Sequence, residues 1–528
     1  MKVHRALFVM DEARILTASQ LKLRPNPYLK DLDTPYLFQK RGSLMMLVRP
    51  RMILGDDVGL GKTLEAIVTI SYLKTFKPET KFLILTEMTA FKQWLAEFVW
   101  LTEGLRVKLI NTVTHPVPSV RARAFRQHGA DVLITGYSQI YNYWRYIAEG
   151  LSPRWVMFAD EPSYFKTVGT TLHSKMFDLV NGRQGAVRSY GLTATIIENK
   201  LAEAFGVMRI LTPGILPSEP QFERDYCIIV EKNRRRLVVG YKNLDHFRKT
   251  IDPVFYGRLC DDPEVEQELP ELNTKDVPIL LGLEQSKKLL EAMDKIIAMP
   301  DGATKRLEIL PALTMAQLIA DDPRTAGFDI KGEKTKALKE ALLNSLMGER
   351  VVVYSKFRRT LDLLEKEING VGLEVVRITG KETQNQKDRS KERFMSDGLD
   401  HCAILLLNKA GQRAINLQKG AHLFFYDLPW SYGLYRQIVG RLKRTGSTHK
   451  RIGVYRMLGC LHPDVVAMAG GSERTIDHYT LDVLMRKFEL WKIVTGDKDT
   501  IKATESDLTD LMQEIRASTK AYKIRGRV

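Results

Sequence analysis

The stretch "RMILGDDVGLGKTLEAIVTI", Arg51 to Ile70, decides the fold of this chain. Its first four residues form a short apolar run that reads as a buried strand, and from Lys62 the pattern becomes helical. The glycine-rich "GDDVGLGKT", Gly55 to Thr63, therefore joins a strand to the start of a helix, which is the setting a phosphate loop requires. There the backbone N–H groups of Gly59, Gly61, Lys62, Thr63 and Leu64 can surround a β-phosphate. The Lys62 ammonium can reach the β and γ oxygens, and the Thr63 hydroxyl can ligate magnesium. The strict pattern would have glycine where Asp56 stands.

Outward from this stretch, short apolar runs alternate with helical stretches: "FLILT" (82 to 86), "DVLITG" (131 to 136), "WVMFAD" (155 to 160) and "SYGLTAT" (189 to 195). Alternation of this kind implies a parallel sheet covered by helices on both faces. A second series follows, with "RVVVYS" (350 to 355), "LEVVRIT" (373 to 379), "CAILLLN" (402 to 408), "HLFFYD" (422 to 427) and "IGVYRM" (452 to 457). The expected fold is α/β, with two RecA-like parallel-sheet lobes and a helical insertion between them. The boundaries are an N-terminal extension over 1–34, a nucleotide-binding lobe over 35–211 and a helical insertion with linker over 212–335. A second lobe covers 336–471, and a C-terminal helical brace with a basic tail covers 472–528.

The strand "WVMFAD" ends in Asp160 and Glu161. Beside a phosphate loop, such a pair supplies one carboxylate for magnesium, Asp160, and one to orient the attacking water, Glu161. Gln39, ahead of the first strand, can read adenine through its amide. In the second lobe "QIVGRLKR", Gln437 to Arg444, brings paired arginines, as an ATPase with its nucleotide between two lobes needs. ATP and Mg²⁺ are thus the expected ligands.

A formal charge of +17 points to a polyanionic partner, because clustered Lys and Arg neutralise phosphates and release counterions. Four scattered cysteines, with no C-x-x-C pair, indicate neither a disulfide framework nor a zinc site. The first thirty residues are charged throughout, and no apolar run approaches membrane-spanning length, so a cytoplasmic, nucleoid-associated protein (or one in host cytoplasm, if viral) with no membrane partner is expected.

With these residues in hand, the chain resembles the Swi/Snf helicase-like ATPases of helicase superfamily 2. "GDDVGLGKT" is similar to that family's "ADEMGLGKT", which also carries Asp where the strict loop has Gly. "LILTEMTAFKQWLAEF", with Trp94, resembles "LIVAPxSLLxNWxxEF". "ADEPSYFK" stands where "LDEAHxIKN" is usual, and "GLTATIIENKLAEAFGVMRILTP" where "xLTGTPIQNxLxELWxLLxFLxP" is. "PVFYGRLCDDPEVEQELPE" is similar to "PxxLRRxKxDVxxxLPxK". "KAGQRAINLQKGAHLFFYDLPWS" and "YRQIVGRLKRTGS" match the second-lobe blocks and place Gln437, Arg441 and Arg444 at the family's three key positions. The departures are Pro162 and Ser163 for Ala-His, Ala194 for Gly, Ile196 for Pro, and Gln412, Arg413 and Ala414 in the Gly-rich step before Asn416.

The resemblance implies a DNA-dependent ATPase that translocates along double-stranded DNA to remodel DNA structures or protein–DNA complexes. Arg441 and Arg444 would act as arginine fingers, and Thr193, Lys409 and Trp430 would lie near the nucleic acid. A compact prokaryotic or bacteriophage type is expected. It would work as a monomer on double-stranded or branched DNA, with a possible protein partner in replication, recombination or transcription. The rival readings are a branch-migrating or strand-separating helicase acting on forks and junctions, which would need a wedge, and a non-catalytic DNA-binding scaffold. The scaffold should have lost Lys62, Glu161 or an arginine, and all are present.

Overall fold

The computed structural model describes residues 23–495, apart from 32–33, 195, 198–199, 233–234, 261, 299–305, 399–401, 410–415 and 470. The departures at Gln412, Arg413 and Ala414, and the basic tail, lie outside the described residues. The chain forms two compact units. The first takes the described residues up to 229 together with 241–269 and 492–495, and the second takes 230–240 and 270–491.

The first unit is built on β1 (Arg51–Leu54), β2 (Lys81–Thr86), β3 (Val107–Leu109), β4 (Val132–Gly136), β5 (Trp155–Asp160) and β6 (Arg188–Leu192). A hairpin of β7 (Cys227–Lys232) and β8 (Arg235–Tyr241) follows, most of which falls to the second unit, and then β9 (Phe255–Tyr256) in the first. The large sheet has the order β3-β4-β2-β5-β6-β1-β9, with parallel pairing throughout, and the hairpin stands apart as a two-stranded sheet. β2, β4 and β5 are near-continuous apolar runs because helices cover both sheet faces.

The second unit holds β10 (Glu271–Leu280), β11 (Val351–Tyr354), β12 (Val375–Ile378), β13 (Ile404–Leu407), β14 (His422–Phe425) and β15 (Arg451–Cys460), in the order β10-β15-β14-β11-β13-β12. Alternate residues feed two cores. Val352, Tyr354, Leu405 and Leu407 pack on one face, and Val351, Val353, Ile404 and Leu406 on the other. A buried charge cluster fastens the neighbouring helices to this sheet. The Lys334 ammonium meets Asp321 at 3.2 Å and Asp477 at 2.8 Å, and donates to the Tyr426 carbonyl at 3.0 Å. Three helices, Arg306–Asp321, Glu333–Leu343 and Ile476–Thr495, are thereby held near the end of β14.

Residues 212–335 depart from a purely helical insertion. They contain the hairpin, β9 and the ten-residue β10, which pairs with β15 along its whole length. β10 reads "ELNTKDVPIL" and is largely exposed as an edge strand. Charged residues and a proline are what an exposed edge carries, and they erase the apolar run by which a strand is recognised. Among the described residues no helix is long and apolar enough to cross a membrane.

Candidate functional site

Parallel strands end on one edge of their sheet, where the connections to the following helices lie. In the first unit the register aligns Leu54 of β1, Leu192 of β6 and Asp160 of β5 in one row. One residue further on stand Gly55 of the loop, Thr193 and Glu161. At the usual spacing of neighbouring strands the outer two backbones are about 10 Å apart, a span that a triphosphate and its metal can bridge.

The loop itself turns on Gly59 and Gly61, whose φ angles of 91° and 85° are left-handed and favour glycine. Gly61 precedes the helix Lys62–Phe76 and has no side chain with which to cap it, so the first-turn N–H groups of Lys62, Thr63 and Leu64 suit an anion. Leu64 offers only its main chain, since its side chain is buried. The Lys62 ammonium crosses the loop and donates to the carbonyls of Asp56 at 2.8 Å and Asp57 at 3.1 Å. Gln39 lies buried beneath the loop. Its amide nitrogen donates to the Leu60 carbonyl at 2.8 Å, and its oxygen accepts from the Tyr36 N–H at 3.0 Å. In this structure the amide braces the loop.

The acidic pair is held from several sides. Asp160 Oδ2 accepts from the Thr86 hydroxyl at 2.7 Å and from the indole N–H of Trp94 at 2.9 Å. Its carbonyl accepts from the Tyr137 hydroxyl at 2.7 Å. Burial, reinforced by the charges of Asp160 and Glu161, keeps that phenol well above its ordinary pKa, so it remains a donor. Glu161 has φ 53° and ψ 68°, a left-handed conformation that costs a non-glycine residue roughly 1–3 kcal/mol. Its carboxylate accepts from the Thr193 hydroxyl at 3.0 Å. A hydroxyl and a carboxylate, Thr63 and Asp160, are hard oxygen donors of the kind magnesium takes.

Thr193 is buried, with 1% of its surface exposed, and its hydroxyl is turned to Glu161 rather than to the surface where the sequence reading placed it near nucleic acid. The contact joins the acidic pair to the end of β6 directly. Thr193→Val, which removes a hydrogen bond to a charged group worth about 1.5–3 kcal/mol, should lower kcat by about tenfold or more in protein that a thermal melt shows to be folded. A normal kcat would remove Thr193 from the site. Glu161→Gln should still bind ATP and lose turnover by a factor of about 10² to 10⁴; nucleotide affinity falling in step with turnover would contradict the role of orienting water.

In the second unit Gln437 lies on the helix Tyr432–Val439, which the Ser431 side chain caps by accepting from the Leu434 N–H at 3.4 Å. Arg441 and Arg444 follow in the turn after it, where the Arg441 carbonyl accepts from Leu417 N–H at 3.0 Å. Burial lowers the pKa of the Lys391 ammonium, the Asp388 carboxylate opposes that, and the nearby charge of Arg444 adds to it. Lys409 is exposed just past β13. Trp430 packs partly buried against a core cluster, with the Lys356 ammonium 4.3 Å from its ring centroid.

The SNF2-related domain profile matches residues 38–317, and the helicase conserved C-terminal domain matches 333–446. The chain belongs to the SNF2-related family. This SNF2-related chain is 23% identical over 501 residues to the ISWI chromatin-remodeling complex ATPase ISW2 of Saccharomyces cerevisiae, covering 87% of the chain and 41% of that protein. It is 23% identical to the uncharacterized ATP-dependent helicase YqhH of Bacillus subtilis, covering 88% of the chain and 80% of that protein. The DNA repair protein rhp54 of Schizosaccharomyces pombe is 26% identical, with 83% and 58% covered. The chain thus spans about two fifths of the yeast remodelling ATPase. Among solved structures it is similar to the Sulfolobus solfataricus SWI2/SNF2 ATPase core in complex with dsDNA, at 21% identity and a TM-score of 0.42, over 90% of this chain and 95% of that one.

Sequence reasoning missed Thr86, Tyr137 and Arg258. Thr86 and Arg258 stand inside blocks quoted above, but their partners, like that of Tyr137, are distant in sequence and no local pattern shows them. The available signal for Arg258 is its place in "PVFYGRLCDDPEVEQELPE" together with an acidic Asp56 in the loop.

Proposed function

We propose that the chain is a DNA-dependent ATPase that translocates along double-stranded DNA and so remodels DNA structures or protein–DNA complexes. The observation that carries this reading is the row formed by Leu54, Leu192 and Asp160, which sets the phosphate loop beside the acidic pair and Thr193. The loop N–H groups and Lys62 bind the phosphates of ATP, and the Gln39 amide braces the loop from below. Glu161, oriented by Thr193, positions the attacking water. Thr63 and Asp160 would hold Mg²⁺, which when bound neutralises charge on the phosphate oxygens. Gln437, Arg441 and Arg444 would complete the site when the lobes close, and the arginines stabilise the transferred phosphoryl group. Membership of a family whose relatives include a chromatin-remodeling ATPase and a DNA repair protein supports DNA as the partner. Lys409 and the overall charge of +17 suit a phosphate backbone.

Translocation is tested by displacement of a labelled third strand from a linear duplex. ATP should drive the strand off and Glu161→Gln should not. An active ATPase that leaves the triplex intact contradicts translocation. The separate hairpin of β7 and β8 favours a second reading, strand separation or branch migration, because such activity needs a pin. Release of a labelled strand from a fork, absent when the hairpin is shortened, would support it.

A further inference from the structure

The sequence places Asp56 where a strict phosphate loop has glycine, and the structure gives that carboxylate a buried partner 202 residues away. Arg258, with 3% of its surface exposed, donates through Nε to Asp56 Oδ1 at 3.0 Å and through Nη2 to Asp56 Oδ2. The same Nη2 reaches both oxygens of Glu65, each at 2.9 Å, on the helix that leaves the loop. Its backbone N–H also donates to Asp56 Oδ1 at 3.1 Å, and its carbonyl accepts from Asp57 N–H at 2.9 Å. The rings of Phe38 and Tyr256 lie 5.2 Å from the guanidinium carbon. The pocket leaves no slack: a Cβ at Gly42 would stand 1.7 Å from Glu65 Oε2. One cation thus serves two buried carboxylates. Burial raises the Glu65 pKa well above its ordinary value, the Asp56 charge adds to the rise, and Arg258 opposes it.

Arg258 also sits at a topological junction. β9 is the last strand of the first sheet, hydrogen-bonded to β1 and to the loop through Gly55 N–H and the Tyr256 carbonyl at 2.6 Å. After Arg258 come the helix Pro263–Glu266 and then β10, which belongs to the second unit. Val265 packs with Phe38 and Leu60, so the segment is pressed against the underside of the loop. An arginine fork bridging two carboxylates in a low-dielectric pocket is geometrically demanding. A shift of the loop backbone on binding phosphate therefore has to be followed by Arg258 and by the segment that carries it.

We propose that Arg258 is a positioning residue that couples nucleotide binding at the phosphate loop to residues 263–269, the stretch by which the chain passes from the first unit to the second. The inference rests on the ATP-binding reading above. Its test is amide hydrogen exchange of peptides within 263–269 in the full chain, with and without Mg²⁺ and the slowly hydrolysed analogue ATPγS. Nucleotide binding is measured on the same samples with a fluorescent ATP derivative. In the wild type, nucleotide should slow exchange there several-fold. Arg258→Lys keeps the charge without the planar fork, and should lose that response while its KM for ATP rises about tenfold and kcat changes less, the signature of weakened binding. Asp56→Asn, which keeps the loop's size and removes the partner charge, should lose the response too and carries the test if the lysine variant does not fold. A purely structural role would lower the melting temperature of either variant and leave the response of its folded fraction intact. Retention of the response in either variant overturns the coupling, as does a wild type that binds nucleotide without any change at 263–269. A wild type that binds no nucleotide overturns the ATP-binding reading itself, and the coupling with it.

Discussion

Lys62→Ala is expected to lower ATP turnover by a factor of about 10³ or more while the protein stays folded, because a preorganised cation facing developing phosphate charge is among the largest single contributions a site makes. The ammonium is half-buried and donates only to two backbone carbonyls of its own loop, those of Asp56 and Asp57. Its removal should therefore cost about 1 kcal/mol of stability, and the glycine-shaped loop and the helix behind it should persist. Steady-state kinetics with a thermal melt separate the two effects. Substantial turnover in the folded variant would remove the phosphate-loop assignment.

Arg444→Ala should lower kcat by a factor on the order of 10³ or more, with little change in affinity for ATP. The contact proposed for Arg444 forms in the transition state, so its loss falls on kcat rather than on ground-state binding. Lysine should rescue poorly, since a single point charge does not reproduce the planar fork of a guanidinium against phosphate oxygens. If Arg444 served only as a half-exposed surface cation in the turn after the helix Tyr432–Val439, alanine would cost at most about 1 kcal/mol of stability and no catalysis. Near-normal turnover would sink the arginine-finger role, and with it the requirement that the lobes close.

What was legible in the sequence was whatever is local. β1, its loop and the helix beginning at Lys62 occupy one continuous stretch, and the buried strands of both sheets announce themselves as apolar runs. β10 was not legible, because an exposed edge strand is polar where a central strand is apolar. β9 escaped because a two-residue strand has no period to detect. The sequence locates Asp160 and Glu161 but not what steadies them: Thr86 and Trp94 hold one and Thr193 the other, each from a different strand end or helix. The resemblance puts Thr193 near nucleic acid, whereas its burial and its bond to Glu161 depend on parallel register, which no local pattern shows. Asp56 matches the family's loop in the sequence, and the fold supplies the partner that no local pattern shows, Arg258.

On the proposed function, a nucleotide held by the first unit is hydrolysed in response to duplex DNA, with arginines of the second unit completing the site. The most direct test is the ATPase rate of the purified chain with no nucleic acid, with single strands, with linear duplex, with a fork and with a four-way junction, run beside Arg444→Ala. The account predicts stimulation by linear duplex in the wild type and loss of the stimulated rate in the variant. A rate indifferent to DNA, or raised only by RNA, would contradict it.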